Sequence, residues 1–286
     1  MAVESSAIGG SGVVTGRLAS KLDLLRDSVR RRGSIVIGLS AGVDSTLLAK
    51  VSFTELGSSA VAVTAVSPSL SSHDRELASE NAREIGIRHV LIETNEMENP
   101  NYTANDSMRC FHCKTELSAE LWSFARKENF SSVALGVNAS DAADFRPGIR
   151  AAQESGMCFP LKECGMTKDE VRELARQLGL SAHDRPSNSC LSSRVQYGQK
   201  IDERTLRMVE EAEDVLRGLG VRNFRVRVHG NVARIEVDAS SLPSIVEEGA
   251  RKKIVERFRA IGFLYVALDL EGFRSGSMNL PIRSIR

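Results

Sequence analysis

Between Leu18 and about residue 138 the chain repeats one arrangement: a short apolar run, then a helix-period stretch, then another apolar run. The apolar runs are "SIVIGL", "AVAVTAVS", "HVLIET" and "SSVALGVN". Between them lie "DRELASENAREIG", "KTELSAELWSFARKEN" and a helix predicted from about Ser45 to Glu55. Ahead of the first run, "RLASKLDLLRDSVRRR" places Leu18, Leu22, Leu25 and Val29 at helical spacing, with Gly33 as a stop. Buried strands alternating with amphipathic helices leave few solutions. They require an α/β fold whose parallel sheet is covered by helices on both faces, with ligands at the strands' carboxyl ends.

After the helical "TKDEVRELARQLGL" the pattern changes. The segment "SAHDRPSNSCLSSRVQYGQK" is polar and turn-rich. Beyond it, "DERTLRMVEEAEDVLRGLG" reads as a helix, "NFRVRV" and "VARIEV" as strands, "SSLPSIVEEGARKKIVERFRAIG" as one helix and "FLYVALDL" as a strand. The expected organisation is a mobile Ser/Gly-rich tail over 1–17, an α/β domain over 18–190 and a small C-terminal α+β domain over 191–286. With 38 Lys+Arg against 37 Asp+Glu the net charge is +1, which argues against a nucleic-acid or membrane-surface partner. No apolar run approaches the length that crosses a bilayer, and the opening "MAVESSAIGGSGVV" has neither a basic n-region nor a signal-like apolar core. A cytoplasmic location is expected. Five cysteines argue against a disulfide scaffold and leave thiol or metal chemistry open.

The stretch "GLSAGVDSTLLAK" joins an apolar strand to a helix, so backbone N–H groups and a helix N-terminus converge at Ser40-Ala41-Gly42-Val43-Asp44-Ser45. Ser40 and Ser45 add hydroxyls. The lysine of a Walker-type loop is missing. The plain alternative is a glycine-containing turn with Asp44 or Ser45 as N-cap. The loop resembles the Ser-Gly-Gly-x-Asp-Ser PP-loop of the ATP pyrophosphatase superfamily, whose members grip the β- and γ-phosphates and break the α-β bond. Ala41 departs from that pattern by standing where the first glycine is usual, so either the position is not left-handed or the loop is rebuilt.

"MRCFHCKTELSAELW" sets Cys110 and Cys113 on one face of a helix start, and Cys190 follows in the polar segment. A redox pair, half-buried chance cysteines and, with Cys190, a three-thiolate iron-sulfur site all remain open. Cys158 and Cys164 read as core. In "NFRVRVHGNVARIEV", a two-residue turn at Gly230-Asn231 would set Arg227 opposite Arg234 and Arg225 opposite Glu236. Val226, Val228, Ala233 and Ile235 would then be buried. Facing arginines imply either a solvated face or an anion between them.

"DFRPGIRAAQESG", "CLSSRVQYG", "RVRVHGNVARIE" and "LDLEGFRSGSMN", taken in order with the loop, resemble the LarE family of ATP-dependent sulfur transferases that serve nickel-pincer nucleotide synthesis. The resemblance implies that a carboxylate of a pyridinium dicarboxylate mononucleotide attacks the α-phosphorus of ATP. Pyrophosphate leaves, and sulfur then displaces AMP to give a thiocarboxylate. It further implies that Ser40, Gly42, Val43, Asp44 and Ser45, with Mg²⁺, hold ATP; Ser67, at the end of the second predicted strand, is placed either to approach the adenosine or as a simple strand-end turn. Arg225 and Arg227, with Arg194 as a weaker candidate, contact the substrate phosphate. Family members with one cysteine sacrifice the sulfur at the position of Cys190. The presence of Cys110 and Cys113 resembles the three-cysteine branch, which carries a [4Fe-4S] cluster. A homo-oligomer is expected by the same resemblance. A tRNA-thiolating or amide-forming relative, and a sensor without turnover, are the competing readings.

Overall fold

The computed structural model describes residues 16–143, 146–186, 188–274 and 276–279. The expected tail lies outside them except for its last two residues, as do Asp144, Phe145, Ser187 and Ser275 of the segments quoted above. In chain order the first elements are α1 (Gly16–Arg30), β1 (Ile35–Gly38), α2 (Val43–Leu56), β2 (Ala60–Val66), α3 (Ser72–Ile85) and β3 (Arg88–Glu93). Then come α4 (Pro100–Thr103), α5 (Arg109–Lys127), β4 (Ser132–Leu135), α6 (Pro147–Glu154), α7 (Pro160–Glu163) and α8 (Lys168–Gln177). The remainder is α9 (Glu203–Gly218), β5 (Phe224–His229), β6 (Val232–Val237), α10 (Leu242–Val246), α11 (Glu248–Ile261) and β7 (Tyr265–Leu268).

Packing divides the chain into two units. Among the described residues, the first comprises 16–65, Ser72–Glu93 and Leu117–Arg185; the second comprises Val66–Ser71, Thr94–Glu116 and 186–279. The chain therefore passes between units several times.

The first unit holds a four-stranded sheet in the order β3-β2-β1-β4, with β1 parallel to both β2 and β4. Strands β1, β2 and β4 are apolar on both sides, whereas the edge strand β3 is partly exposed, and the reason is visible in β1. Ile35 and Ile37 join one core with Leu22, Leu25, Leu47 and Leu174, while Val36 joins another with Val61, Val133 and Leu121. Each side chain so buried contributes roughly 1.5–3 kcal/mol. This is the α/β architecture that the sequence pattern requires.

The second unit holds a three-stranded sheet in which β5 pairs antiparallel with β6 and β6 parallel with β7. Gly230, at φ +56, makes the hairpin turn, and the register is the expected one, with Arg227 opposite Arg234 and Arg225 opposite Glu236. Val226, Val228, Ala233 and Ile235 face a core shared with α9 and Phe258. The helix predicted over "SSLPSIVEEGARKKIVERFRAIG" is two helices. Glu247 takes extended backbone (φ −54°, ψ 142°), which interrupts the helical hydrogen bonding between α10 and α11. Among the described residues no helix is long and apolar enough to cross a membrane.

Candidate active site

In the first unit the chain leaves β1 at Gly38 and turns into α2 through Leu39–Gly42. Neither Asp44 nor Ser45 caps the helix. The N-cap is Gly42, with no side-chain cap hydrogen bond, so the first-turn amides of α2 keep their donors for an external acceptor. The Ser45 hydroxyl instead ties the loop together. It accepts from the Ser40 N–H at 3.1 Å and donates to the Gly42 carbonyl at 3.0 Å, with the Ser40 hydroxyl 3.3 Å away. Ala41 sits at φ +60, so the residue adopts the glycine-like conformation despite its Cβ. That conformation costs an L-residue on the order of 1 kcal/mol.

The ammonium missing from the loop comes from another helix. Lys168, the first residue of α8, pairs its Nζ with an Asp44 carboxylate oxygen, while the other oxygen accepts from Asn138 Nδ2 at 3.0 Å. Lys168 is held there from three sides. Thr167 and Glu170 form a capping box, Lys21 bonds Glu170 Oε1 at 2.7 Å, and the Lys168 N–H donates to the Ser140 hydroxyl at 3.0 Å. A Cβ on Gly136, just past β4, would stand 2.5 Å from the Ser45 nitrogen, so the helix start is seated directly on that glycine. The sequence reading missed Lys168, Asn138 and Gly136. "TKDE" is legible as a helix start, but the direction of its lysine is a tertiary property. The donor set near the loop suits a nucleotide-borne Mg²⁺ rather than a protein-caged one. Asp44 is the carboxylate beside the loop, and among the described residues no group of three His, Cys, Asp or Glu side chains could hold an ion.

The second unit contains Ser67, all three candidate cysteines and all three candidate arginines. The Ser67 hydroxyl donates to Glu96 Oε1 at 2.5 Å, alongside Ser69 at 2.9 Å. Cys110 and Cys190 are exposed, and Cys113 is half-buried against the unit's core. Burial pushes the Cys113 thiol up to about 12, and the charges of Cys190, Glu96 and Cys110 push the same way against Lys114. The three thiols therefore share one electrostatic neighbourhood. Among the described residues they do not form a group around one ion.

A buried cation lies in the same neighbourhood. Arg109 donates from Nη1 to Asn105 Oδ1 at 2.6 Å and to the Ser192 carbonyl at 2.9 Å, and it lies over the Tyr197 ring at 5.3 Å. Burial opposes its charge most, and Cys190, Cys110, Tyr197 and Tyr102 together favour it, leaving its pKa raised. The Tyr102 hydroxyl bonds the Ser192 hydroxyl at 2.6 Å. Burial, with the charge of Cys190 second, raises its pKa above the ordinary tyrosine range.

Arg194 is fully buried. It pairs with Glu213 (Nε to Oε1, 2.9 Å) and donates to Ser189 O at 2.5 Å, Cys190 O at 3.1 Å and Asn188 Oδ1 at 2.8 Å. Arg225 and Arg227 are also buried, so their face is not a solvated one. The anion between the opposed Arg227 and Arg234 is Glu236, at 2.9 Å and 3.1 Å. Arg225 lies over the Phe273 ring at 5.0 Å. Cys158 belongs to the first unit, where Arg32 Nε donates to its sulfur at 3.2 Å, and it packs with Cys164 against the core as expected.

A parallel sheet whose inner strand delivers an uncapped helix and a serine-bound turn, with Lys168 and Asp44 beside it, defines an ATP-dependent enzyme of the PP-loop class. A family model described as NAD synthase matches residues 18–132. Over 262 residues the chain is 47% identical to an uncharacterized protein of Synechocystis sp., covering 92% of this chain and 98% of that one. It is 31% identical over 263 residues to the pyridinium-3,5-bisthiocarboxylic acid mononucleotide synthase of Lactiplantibacillus plantarum, covering 92% and 95%. To an uncharacterized protein of Methanocaldococcus jannaschii it is 28% identical over 258 residues, covering 89% and 98%. The chain belongs to the LarE family, that of the Lactiplantibacillus synthase.

Proposed function

We propose that this enzyme uses ATP to convert a carboxylate of a pyridinium dicarboxylate mononucleotide into a thiocarboxylate, for a nickel-pincer nucleotide. The observation that carries this reading, given the family, is that Cys110, Cys113 and Cys190 share one neighbourhood in one unit. In the first step a substrate carboxylate oxygen attacks the α-phosphorus, and the bond to the β-phosphate's bridging oxygen breaks. The amides of α2, the Ser40 and Ser45 hydroxyls, Lys168 and Mg²⁺ take up the charge of the departing pyrophosphate. Gly42 and Val43 supply backbone donors, and Asp44 orients Lys168 and the metal. Ser67 serves the adenosine. Arg225 and Arg227 bind the substrate phosphate and hold the nucleotide by a part remote from the reacting carboxyl. Arg194, saturated by its own loop, holds the backbone that carries Cys190. In the second step sulfur attacks the acyl carbon and AMP leaves. A [4Fe-4S] cluster on Cys110, Cys113 and Cys190 would supply that sulfur as a sulfide on its open iron.

The exposure of Cys190, together with the high pKa of the Cys113 thiol, favours a second reading. Here the Cys190 thiolate attacks the acyl-adenylate, and AMP leaves a thioester. Loss of the Cys190 α-proton then expels the thiocarboxylate and leaves dehydroalanine. Cytoplasmic residence and a homo-oligomeric state complete the proposal.

Iron and sulfide analysis after anaerobic purification, on wild type and Cys113→Ala, tests the sulfur source. About four irons per chain, lost in the variant, is the expected result; no iron after reconstitution leaves Cys190 as the sacrificed donor. Pyrophosphate release that ignores the carboxylated pyridinium nucleotide would remove the substrate assignment.

A further inference from the structure

Ala41 holds a left-handed conformation in a loop of this chain's own making, and two side chains outside the loop grip its carbonyl. Asn81 Nδ2, on α3, donates to it at 3.3 Å, and Arg185 Nη1 donates to it at 3.0 Å. Asn81 is fully buried, and the same Nδ2 reaches Thr46 Oγ1 at 3.0 Å. The Thr46 hydroxyl in turn donates to the Gly42 carbonyl at 2.9 Å. Arg185 also reaches Asn81 Oδ1 at 3.4 Å, and its own carbonyl is held by Arg172 Nη2 at 2.9 Å. In a trans peptide the carbonyl and the following N–H point in opposite directions. Anchoring the Ala41 carbonyl toward Asn81 and Arg185 therefore turns the Gly42 N–H the other way, and anchoring the Gly42 carbonyl does the same for the Val43 N–H.

We propose that Asn81 and Arg185 are positioning residues that hold Ala41 left-handed and so aim the Gly42 and Val43 amides at the pyrophosphate of ATP. The role requires no contact of either residue with the nucleotide. The inference rests on the reading of the loop as the ATP site. The clamp answers a specific need: with a Cβ at position 41 the left-handed state is not the backbone's own preference, whereas glycine adopts it freely. Asn81 and position 41 must therefore be coupled energetically, which a merely structural asparagine would not be.

Equilibrium binding of a non-hydrolysable ATP analogue with Mg²⁺ tests this in wild type, Asn81→Ala, Ala41→Gly and the double variant. Asn81→Ala is expected to weaken binding about tenfold in the Ala41 background and less than about threefold in the glycine background. An equal factor in both backgrounds overturns the proposal, as does wild-type affinity in an Asn81→Ala protein that still melts cooperatively. If Asn81→Ala does not fold, Arg185→Gln, at a half-exposed side chain, replaces it under the same two criteria. Absence of binding by wild type would remove the reading of the loop as a nucleotide site, and the clamp with it.

Discussion

Asp44 and Lys168 are 124 positions apart, and their side chains meet beside the loop, with Asn138 holding the second carboxylate oxygen. Lys168 brings an ammonium to this loop from a helix that the sequence presents only as a capped amphipathic segment. Lys168→Met is expected to raise KM for ATP in a pyrophosphate-release assay by about tenfold or more while leaving the melting temperature nearly unchanged. An unaltered KM would show that the ammonium serves Asp44 alone. The loop itself was legible because strand, turn and helix start are all written in consecutive residues. Lys168, Asn138 and Asn81 were not, because their roles depend on which helix end the sheet brings to the loop, and no local spacing encodes that. At Ala41 the sequence left two alternatives open, a position that is not left-handed or a rebuilt loop, and φ +60 removes the first.

The element that carries Cys190 is short and irregular, and what stiffens it is one arginine. Arg194 binds the backbone or side chains of Asn188, Ser189, Cys190 and Ser193 while its Nε and Nη2 pair with Glu213 of α9. Glu213 also accepts the Val226 N–H at 3.1 Å, so it joins helix, strand and loop. Glu213→Ala leaves a buried guanidinium unpaired and is expected to cost about 3 kcal/mol in denaturant melts. A loss below about 1 kcal/mol would mean that the loop's hydroxyls and carbonyls suffice. The β5-β6 hairpin was readable to the residue, because turn and alternation fix register together. That Glu236 bridges Arg227 and Arg234 was less so. Register alone sets Glu236 opposite Arg225, and only side-chain direction turns the carboxylate toward the other two arginines. The break at Glu247 had no sequence signal beyond Pro243 four residues earlier.

Across the whole molecule, the groups that carry pH dependence near neutrality are two half-buried histidines, one in each unit. His89 Nε2 bonds the Thr64 hydroxyl at 2.9 Å, and His229 lies between Gln196 and Arg234, each ring nitrogen engaged. Burial lowers the pKa of both below 6.5, and for His229 Arg234 and Arg227 lower it further while Glu236 opposes. The unfolded chain thus binds protons first, so stability is full above about pH 6.5 and is lost as pH falls through the folded-state values. The melting temperature at about pH 5.5 is expected to lie about 2–4 °C below that at about pH 7.5, and His89→Gln with His229→Gln should flatten the difference. An undiminished slope in the double variant would place the titration elsewhere. The interleaving of the units bears on synthesis at the ribosome. The first unit has all its segments once Arg185 has emerged, but residues 66–71 and 94–116 must wait for 186–286. That wait lasts on the order of 5–20 s at ordinary elongation rates. During it Cys110 and Cys113 belong to a unit whose α9, β5, β6, α11 and β7 are still being made, so metal-sulfur assembly that needs the folded second unit follows completion of the chain.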